Sequence, residues 1–198
     1  MTVTNKVELI VVDERTLPLV QHQRYRALCT GGQGPVAGAD HEARRVAHEH
    51  DRHGVTFALF DAADLVASAQ VIPVSPMTPA SAYDVYDLRN TLPRPDHGAV
   101  IVANLVTTPV RKGSNLLEPV MRAVLDFVAR EKRRYIAVLA DPALRDFYAS
   151  MGFDTVREGL ASGRASGEVA LMIFDMRDTR HTNGESLAGW MFGPVFNG

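Results

Sequence analysis

The stretch Thr107–Leu117, TTPVRKGSNLL, lies between two apolar runs and reads as strand, glycine turn and helix. A turn of this composition leaves several backbone N–H groups unpaired where a helix begins. With the helix dipole behind them, those groups form a cradle for an anion, most commonly phosphate. Gly113 and Ser114 allow close approach to the main chain, and Arg111 and Lys112 add positive charge. Alone, the same residues also make a plain strand-to-helix turn, so the flanking sequence has to decide.

Upstream, AVIVANLV is apolar enough to be a central strand. Downstream, NLLEPVMRAVLDFVAREK sets Leu116, Leu117, Val120, Val124, Phe127 and Val128 on one helical face, with Pro119 tolerated in the first turn. YIAVLA reads as a buried strand, and DPALRDFYASMG as a short helix with Asp141 as N-cap and Gly152 as stop. FDTVRE and EVALMIFDM are closing strands around the soft loop GLASGRASG.

Working back toward the N-terminus, VTFALF and LVASAQVIPV form a hairpin through DAAD. DHEARRVAHEHDRHG reads as a polar helix ending at Gly54, and TGGQGPVAGAD as a loop. DERTLPLVQHQRYRALC spaces Leu17, Val20, Tyr25 and Leu28 as a helix, with Asp13 or Thr16 as cap, after a first strand VELIVV. The proline-rich segment from Ser75 to Gly98 is long for a loop and holds YDVYDLRN, a lid or a short surface helix. The order β-α-α-β-β-loop-β-α-β-α-β-β predicts one mixed α/β domain over residues 1–176. The tail, 177–198, ends in WMFGPVFNG, too apolar for water. It is expected to dock on the domain or a partner, with Trp190, Phe192 and Phe196 covering an acyl pocket or a homodimer seam.

The chain has 198 residues, 46% hydrophobic and 22% charged, with net charge −2, so no basic field recruits nucleic acid or an anionic membrane. Its single cysteine, Cys29, excludes an intramolecular disulfide or a cysteine zinc site and reads as a core residue. No apolar run approaches the roughly 20 residues of a membrane span, so the expectation is a soluble, cytoplasmic protein. The run HEHDRH, His48 to His53, invites a metal reading. Imidazoles two apart on a helix point to different faces, and His41 lies two turns from His48, so a solvated helix end is expected and no metal.

Two motifs in this order resemble the GNAT acyltransferase family. NLVTTPVRKGSNLL resembles its pyrophosphate loop, Q/R-x-x-G-x-G/A, with Gly113 on the first glycine, Val110 at the Q/R position and Asn115 at the second small residue. DPALRDFYASMGF resembles the helix N-x-x-A-x-x-F-Y-x-x-x-G-F through Phe147, Tyr148, Gly152 and Phe153, with Asp141 and Leu144 replacing Asn and Ala. About 30 residues separate them, right for one helix and one strand. The resemblance covers about residues 7–175 and implies a mixed, mostly antiparallel central sheet flanked by helices.

It further implies acyl-CoA, acetyl-CoA by default, as co-substrate. The main chain of Leu105, Val106 and Thr107 would receive the pantetheine arm. Arg111, Lys112, Gly113, Ser114, Asn115 and Leu116 would hold the pyrophosphate, and Asp141 and Phe147 would flank the donor site. Tyr148 would give its proton to the leaving thiolate. A further resemblance is to acyl-homoserine-lactone synthases, themselves GNAT-like. RYRALC is similar to their RYRVF helix, QVIPV stands where they have RLLPT, and VIVANLV replaces WELSR. Gln70 and Asn104 then occupy arginine positions and Ile101 a glutamate position, so the usual lactone chemistry and the commonest GNAT general base are both missing.

The base therefore falls to Asn104, His97 or Asp51 acting through a water, or the amine arrives neutral. The first expectation is an N-acyltransferase moving an acyl group from acyl-CoA to a primary amine of a small molecule or amino-acid derivative. The second takes the acyl group from an acyl carrier protein met by Arg111, Lys112, Lys132, Arg133 and Arg134, residues equally at home at a solvated helix C-terminus. The third is a non-catalytic acyl-CoA-binding module.

Overall fold

The computed structural model describes residues 7–29, 36, 38–76, 78, 86–93, 95–108, 116–161, 167–186, 188–189 and 191–192, without the side chains of Asp96, His97 and Thr182. Arg111, Lys112, Gly113, Ser114, Asn115, Trp190 and Phe196 therefore lie outside the described residues, as does the His97 side chain. The elements are β1 (Val7–Val11), α1 (Leu17–Cys29), β2 (Ala39–Asp40), β3 (Arg45–Val46), a 3-10 turn (Glu49–Arg52), β4 (Val55–Asp61), β5 (Asp64–Pro73), α2 (Leu88–Thr91), α3 (Pro95–Gly98), β6 (Ala99–Thr107), α4 (Leu117–Arg130), β7 (Tyr135–Ala140), α5 (Arg145–Met151), β8 (Asp154–Ala161), β9 (Glu168–Asp175) and α6 (Thr179–Thr182). One seven-stranded sheet has the order β1-β4-β5-β6-β7-β9-β8. β6 and β7 pair in parallel, over Ala99–Ile101, whereas β1–β4, β4–β5, β7–β9 and β8–β9 are antiparallel, so the sheet is mixed and mostly antiparallel. The chain forms two compact units, residues 7–71 with 104–124 and residues 72–103 with 125–161 and 167–192.

In the first unit, α1 starts where the Asp13 carboxylate accepts from the Thr16 main chain and hydroxyl at 2.9 and 2.7 Å. The helix buries Val20, Gln23, Arg24 and Leu28, spaced i, i+3, i+4 and i+8, so two of four positions on its inner stripe are polar. The polar helix expected over DHEARRVAHEHDRHG is absent. Its place is taken by the β2–β3 hairpin and the 3-10 turn. No apolar stripe of helical period stands there to bury a helix, and Asp51 is drawn into a buried network that a continuous helix would not serve. Gly38, at φ +76°, lets Ala47 approach so closely that a Cβ would sit 2.1 Å from its carbonyl oxygen. Cys29 is half-buried rather than core.

The second unit packs Ile72, Val74, Leu88, Leu92, Ala99, Ile101, Ala137, Leu171 and Ile173 into one apolar cluster, with Tyr86 against it. The described end of YDVYDLRN runs into the short helix α2, which buries Leu88 and exposes Arg89 and Asn90. An aromatic ladder runs from Phe147 through Tyr148, Phe153 and Phe174 to His181, the last two stacked at 4.0 Å and 5°. His181 is fully buried, and its Nδ1 meets Ser186 Oγ at 2.7 Å. Ser186 Oγ also accepts from Gly189 N at 2.9 Å, and Ala188 and Phe192 are fully buried. Gly152, at φ +104°, both ends α5 and makes room for the His181 ring. Among the described residues no helix is long and apolar enough to cross a membrane.

Two outcomes are expected. Gly152→Ala puts a Cβ 2.5 Å from His181 Cε1 in a left-handed backbone and should cost about 2 kcal/mol or more in urea unfolding. Burial holds the His181 pKa below its ordinary 6.5; Asp178 and Asp175 favour the cation and Arg180 opposes it. The folded state therefore binds that proton less readily than the unfolded chain, and stability falls as pH drops below about 6.5. Limited proteolysis after residue 176 should quicken from pH 7.5 to 5.5 in the wild type and less so in His181→Phe.

Candidate functional site

Arg24 reaches from α1 into the first unit with no solvent exposure and places Nη1 2.6 Å from Asp51 Oδ1. Asp51 also accepts from Gln21 Nε2 at 3.1 Å and from the His48 main chain at 3.2 Å through Oδ2, and from Gln70 Nε2 at 3.3 Å through Oδ1. Burial opposes ionisation of this carboxyl, yet the Arg24 charge and the hydrogen bonds from Arg24, Gln21 and the His48 main chain keep its pKa below the ordinary 3.8. Asp51 is thus an ionised, fully engaged acceptor and a poor base. Gln70, fully buried on β5, donates in addition to His50 O at 3.0 Å and accepts from Asn104 Nδ2 at 3.0 Å. The chain of contacts Arg24–Asp51–Gln70–Asn104 thus joins α1, the 3-10 turn, β5 and β6.

Asn104 sits at φ +53° inside β6, a left-handed residue in a strand. Asparagine tolerates that conformation better than other non-glycine residues, and one such residue re-aims the peptide groups beside it. A second polar cluster lies next to the first. Gln23 accepts from Ser68 Oγ at 2.7 Å and donates to Thr108 Oγ1 at 3.2 Å. Gln23, Thr108, Leu19, His22, Arg26 and the β4–β5 turn line a cavity of about 510 Å³.

In the second unit, Tyr148 is buried and its pKa is pushed up to about 12, first by burial and then by the nearby Asp141. It is a neutral hydroxyl throughout the physiological range. Asp141 stands at the N-cap position of the 3-10 turn Pro142–Leu144 without a side-chain cap bond, contrary to the capping expected of it. Phe147 is half-buried and stacks edge-on with Tyr148 at 5.5 Å. Ile101, where the resemblance calls for a glutamate, is fully buried among apolar side chains, so no acid arises there.

Of the other expected site residues, Leu105 and Leu116 are half-buried, Val106 is buried and Thr107 is exposed. His97 enters α3, just ahead of β6. Among the described residues no group of three or more His, Cys, Asp or Glu could hold a metal ion. Arg24, Gln23 and Ser68 were not expected as site residues. The available signal was a charged and an amide residue at consecutive positions on the apolar face of α1.

The mixed seven-stranded sheet with its flanking helices is a GNAT-like fold. No protein-family model and no curated protein matches the chain in sequence. Solved structures match it as folds. The N-acyl amino acid synthase FeeM from uncultured soil microbes is 12% identical, with TM-score 0.72 over 96% of this chain and 100% of that one. The CoA-dependent acyl-homoserine lactone synthase BjaI is 13% identical, with TM-score 0.67 over 96% and 88%. ElaA of Escherichia coli is 13% identical, with TM-score 0.56 over 84% and 99%.

Asp51→Asn leaves the buried Arg24 without its counter-charge and should cost about 3–5 kcal/mol in urea unfolding. Arg24→Met combined with Asp51→Leu should recover much of that loss, because two charges leave together. Tyr148 should ionise near pH 12 in an ultraviolet difference titration, against 10 for exposed tyrosines, and folding stability should fall as pH climbs between those values.

Proposed function

We propose that the protein is an acyltransferase that moves an acyl group from acyl-CoA to a primary amine of a small molecule or amino-acid derivative by direct transfer. The observation that carries this reading is Tyr148, buried, kept protonated and held within the FY…GF helix of a GNAT fold. In this reaction the amine nitrogen bonds to the thioester carbonyl carbon, the carbon–sulfur bond breaks, and the proton lost by the amine ends on the thiolate. The hydroxyl of Tyr148 donates a hydrogen bond to the departing sulfur. Its pKa, about 12, lies above the roughly 8.5 of an ordinary thiol, so it stabilises the thiolate without surrendering its proton for long.

Ile101 leaves β6 without a carboxylate, and Asp51 is engaged by Arg24, Gln21, Gln70 and the His48 main chain. The amine is best supplied neutral, and holding it against the thioester carries the rate. The main chain near Asn104 and Leu105 offers N–H groups for the developing oxyanion, and the Arg111–Leu116 turn is the proposed pyrophosphate cradle. A cytoplasmic setting fits a chain with a single cysteine.

The second reading takes the acyl group from a carrier protein to make an N-acyl amino acid, and the fold match to FeeM, an N-acyl amino acid synthase, supports that product class. The basic patch behind it is partly committed elsewhere. Arg134 pairs with Asp175 at 2.7 Å, and Arg133 donates to Val74 O at 3.0 Å.

Isothermal titration with acetyl-, octanoyl- and palmitoyl-CoA tests the proposal. Micromolar binding that is lost in Gly113→Pro is the expected outcome, with thiol release on adding amines and a fall in kcat of about 100-fold in Tyr148→Phe. No binding of any CoA thioester overturns the acyl-CoA reading in favour of the carrier protein. Binding without thiol release leaves a non-catalytic module.

A further inference from the structure

The polarity of the hydrogen bonds around Gln70 determines which atom Asn104 presents. Gln70 Nε2 faces His50 O at 3.0 Å and Asp51 Oδ1 at 3.3 Å. Both are acceptors without a proton, since one is a peptide carbonyl and the other a carboxylate held ionised by Arg24. The two hydrogens of Nε2 serve these two partners. Turning the amide over would set Oε1 against both, in a side chain with no solvent exposure to relieve the clash. Oε1 is therefore committed to Asn104. As Oε1 can only accept, Asn104 must answer with Nδ2, as it does at 3.0 Å. That leaves Asn104 Oδ1 turned away from Gln70, on a half-buried residue, with no donor to it among the described residues.

We propose that Asn104 Oδ1 is the fixed acceptor that takes an N–H of the amine nucleophile, and that Gln70 is the positioning residue holding it so. This rests on the acyl-transfer reading above. Arg24 acts on position 104 through this relay: it keeps Asp51 ionised, Asp51 orients Gln70, and Gln70 orients Asn104. The left-handed backbone at Asn104 restrains the side chain at its root. An uncharged acceptor at this point receives a neutral amine without pulling its proton away. This matches a site with no strong base, and it selects acceptors that bring a free N–H.

Asn104→Asp separates this polarity from its reverse without any substrate. With Gln70 Oε1 facing position 104, a carboxylate there meets an acceptor, so its folded pKa rises above the ordinary value of about 3.9. The variant should then melt well below wild type at pH 8 and recover as pH falls toward 4, where the carboxyl regains a hydrogen to donate. If Nε2 faced position 104 instead, the variant would be at least as stable as wild type at pH 8 and lose stability on acidification. That result, or indifference to pH, overturns the relay.

For the role at the amine, Asn104→Gly keeps the left-handed backbone and removes the side chain. Thiol release should then show KM for the amine raised about tenfold, with binding of acyl-CoA unchanged. An unchanged KM overturns the role. A wild-type protein that binds acyl-CoA but releases no thiol with any amine overturns acyl transfer and the role at the amine together, while the melts still decide the polarity.

Discussion

A guanidinium taken fully out of water has to be matched, and the Arg24–Asp51 contact is the match on which the first unit is organised. Asp51 can reach Arg24 only if the chain before β4 closes into a tight turn, which is why residues 49–52 form a 3-10 turn behind a small hairpin. Once ionised and in place, Asp51 dictates the orientation of Gln70, and Gln70 dictates that of Asn104. A polar decision made on α1 is thereby delivered to the middle of the central strand. Two further nitrogens of Arg24, Nε and Nη2, are buried without a hydrogen-bond partner among the described residues, so loss of the Asp51 charge would be costly here.

The second unit is organised by a different force. Its aromatic ladder sets Tyr148 into an apolar wall, and the same burial that packs the ring keeps the hydroxyl protonated. Packing and protonation are one arrangement here, since a tyrosine more open to water would be easier to ionise and worse packed. The ladder ends on His181, where the last helical turn is tied down by Ser186 and by the space that Gly152 and Gly189 leave open.

The absence of an acid on β6 gains its meaning from these two facts together. Ile101 contributes to the core and not to proton transfer, and Asp51 is spent on Arg24. Together with Ile101, the two neutral amides Gln70 and Asn104 stand where the acidic and basic residues of the lactone synthases were expected.

Much of the fold was legible because local pattern and final environment agree. The short apolar runs of β4 and β5, the apolar stripe of α4 and the FY…GF helix each announce one element, and short-range pattern suffices for that. The GNAT order and Tyr148 follow from those elements alone. The polar core was not legible. Arg24 and Asp51 are 27 residues apart, and Gln70 and Asn104 are 34 apart, so no window along the chain brings the partners together. The failed helix over residues 40–54 has the same origin: its charges satisfied a local polar pattern, while the fold needed one of them inside. Sequence by itself determined the strands of the large sheet, the helices after β1 and β6 and the motif that carries the tyrosine, because those depend on near neighbours. Only the tertiary structure decided which polar groups are buried and which way each amide points, because burial in a shared core makes every donor answer to an acceptor from another strand.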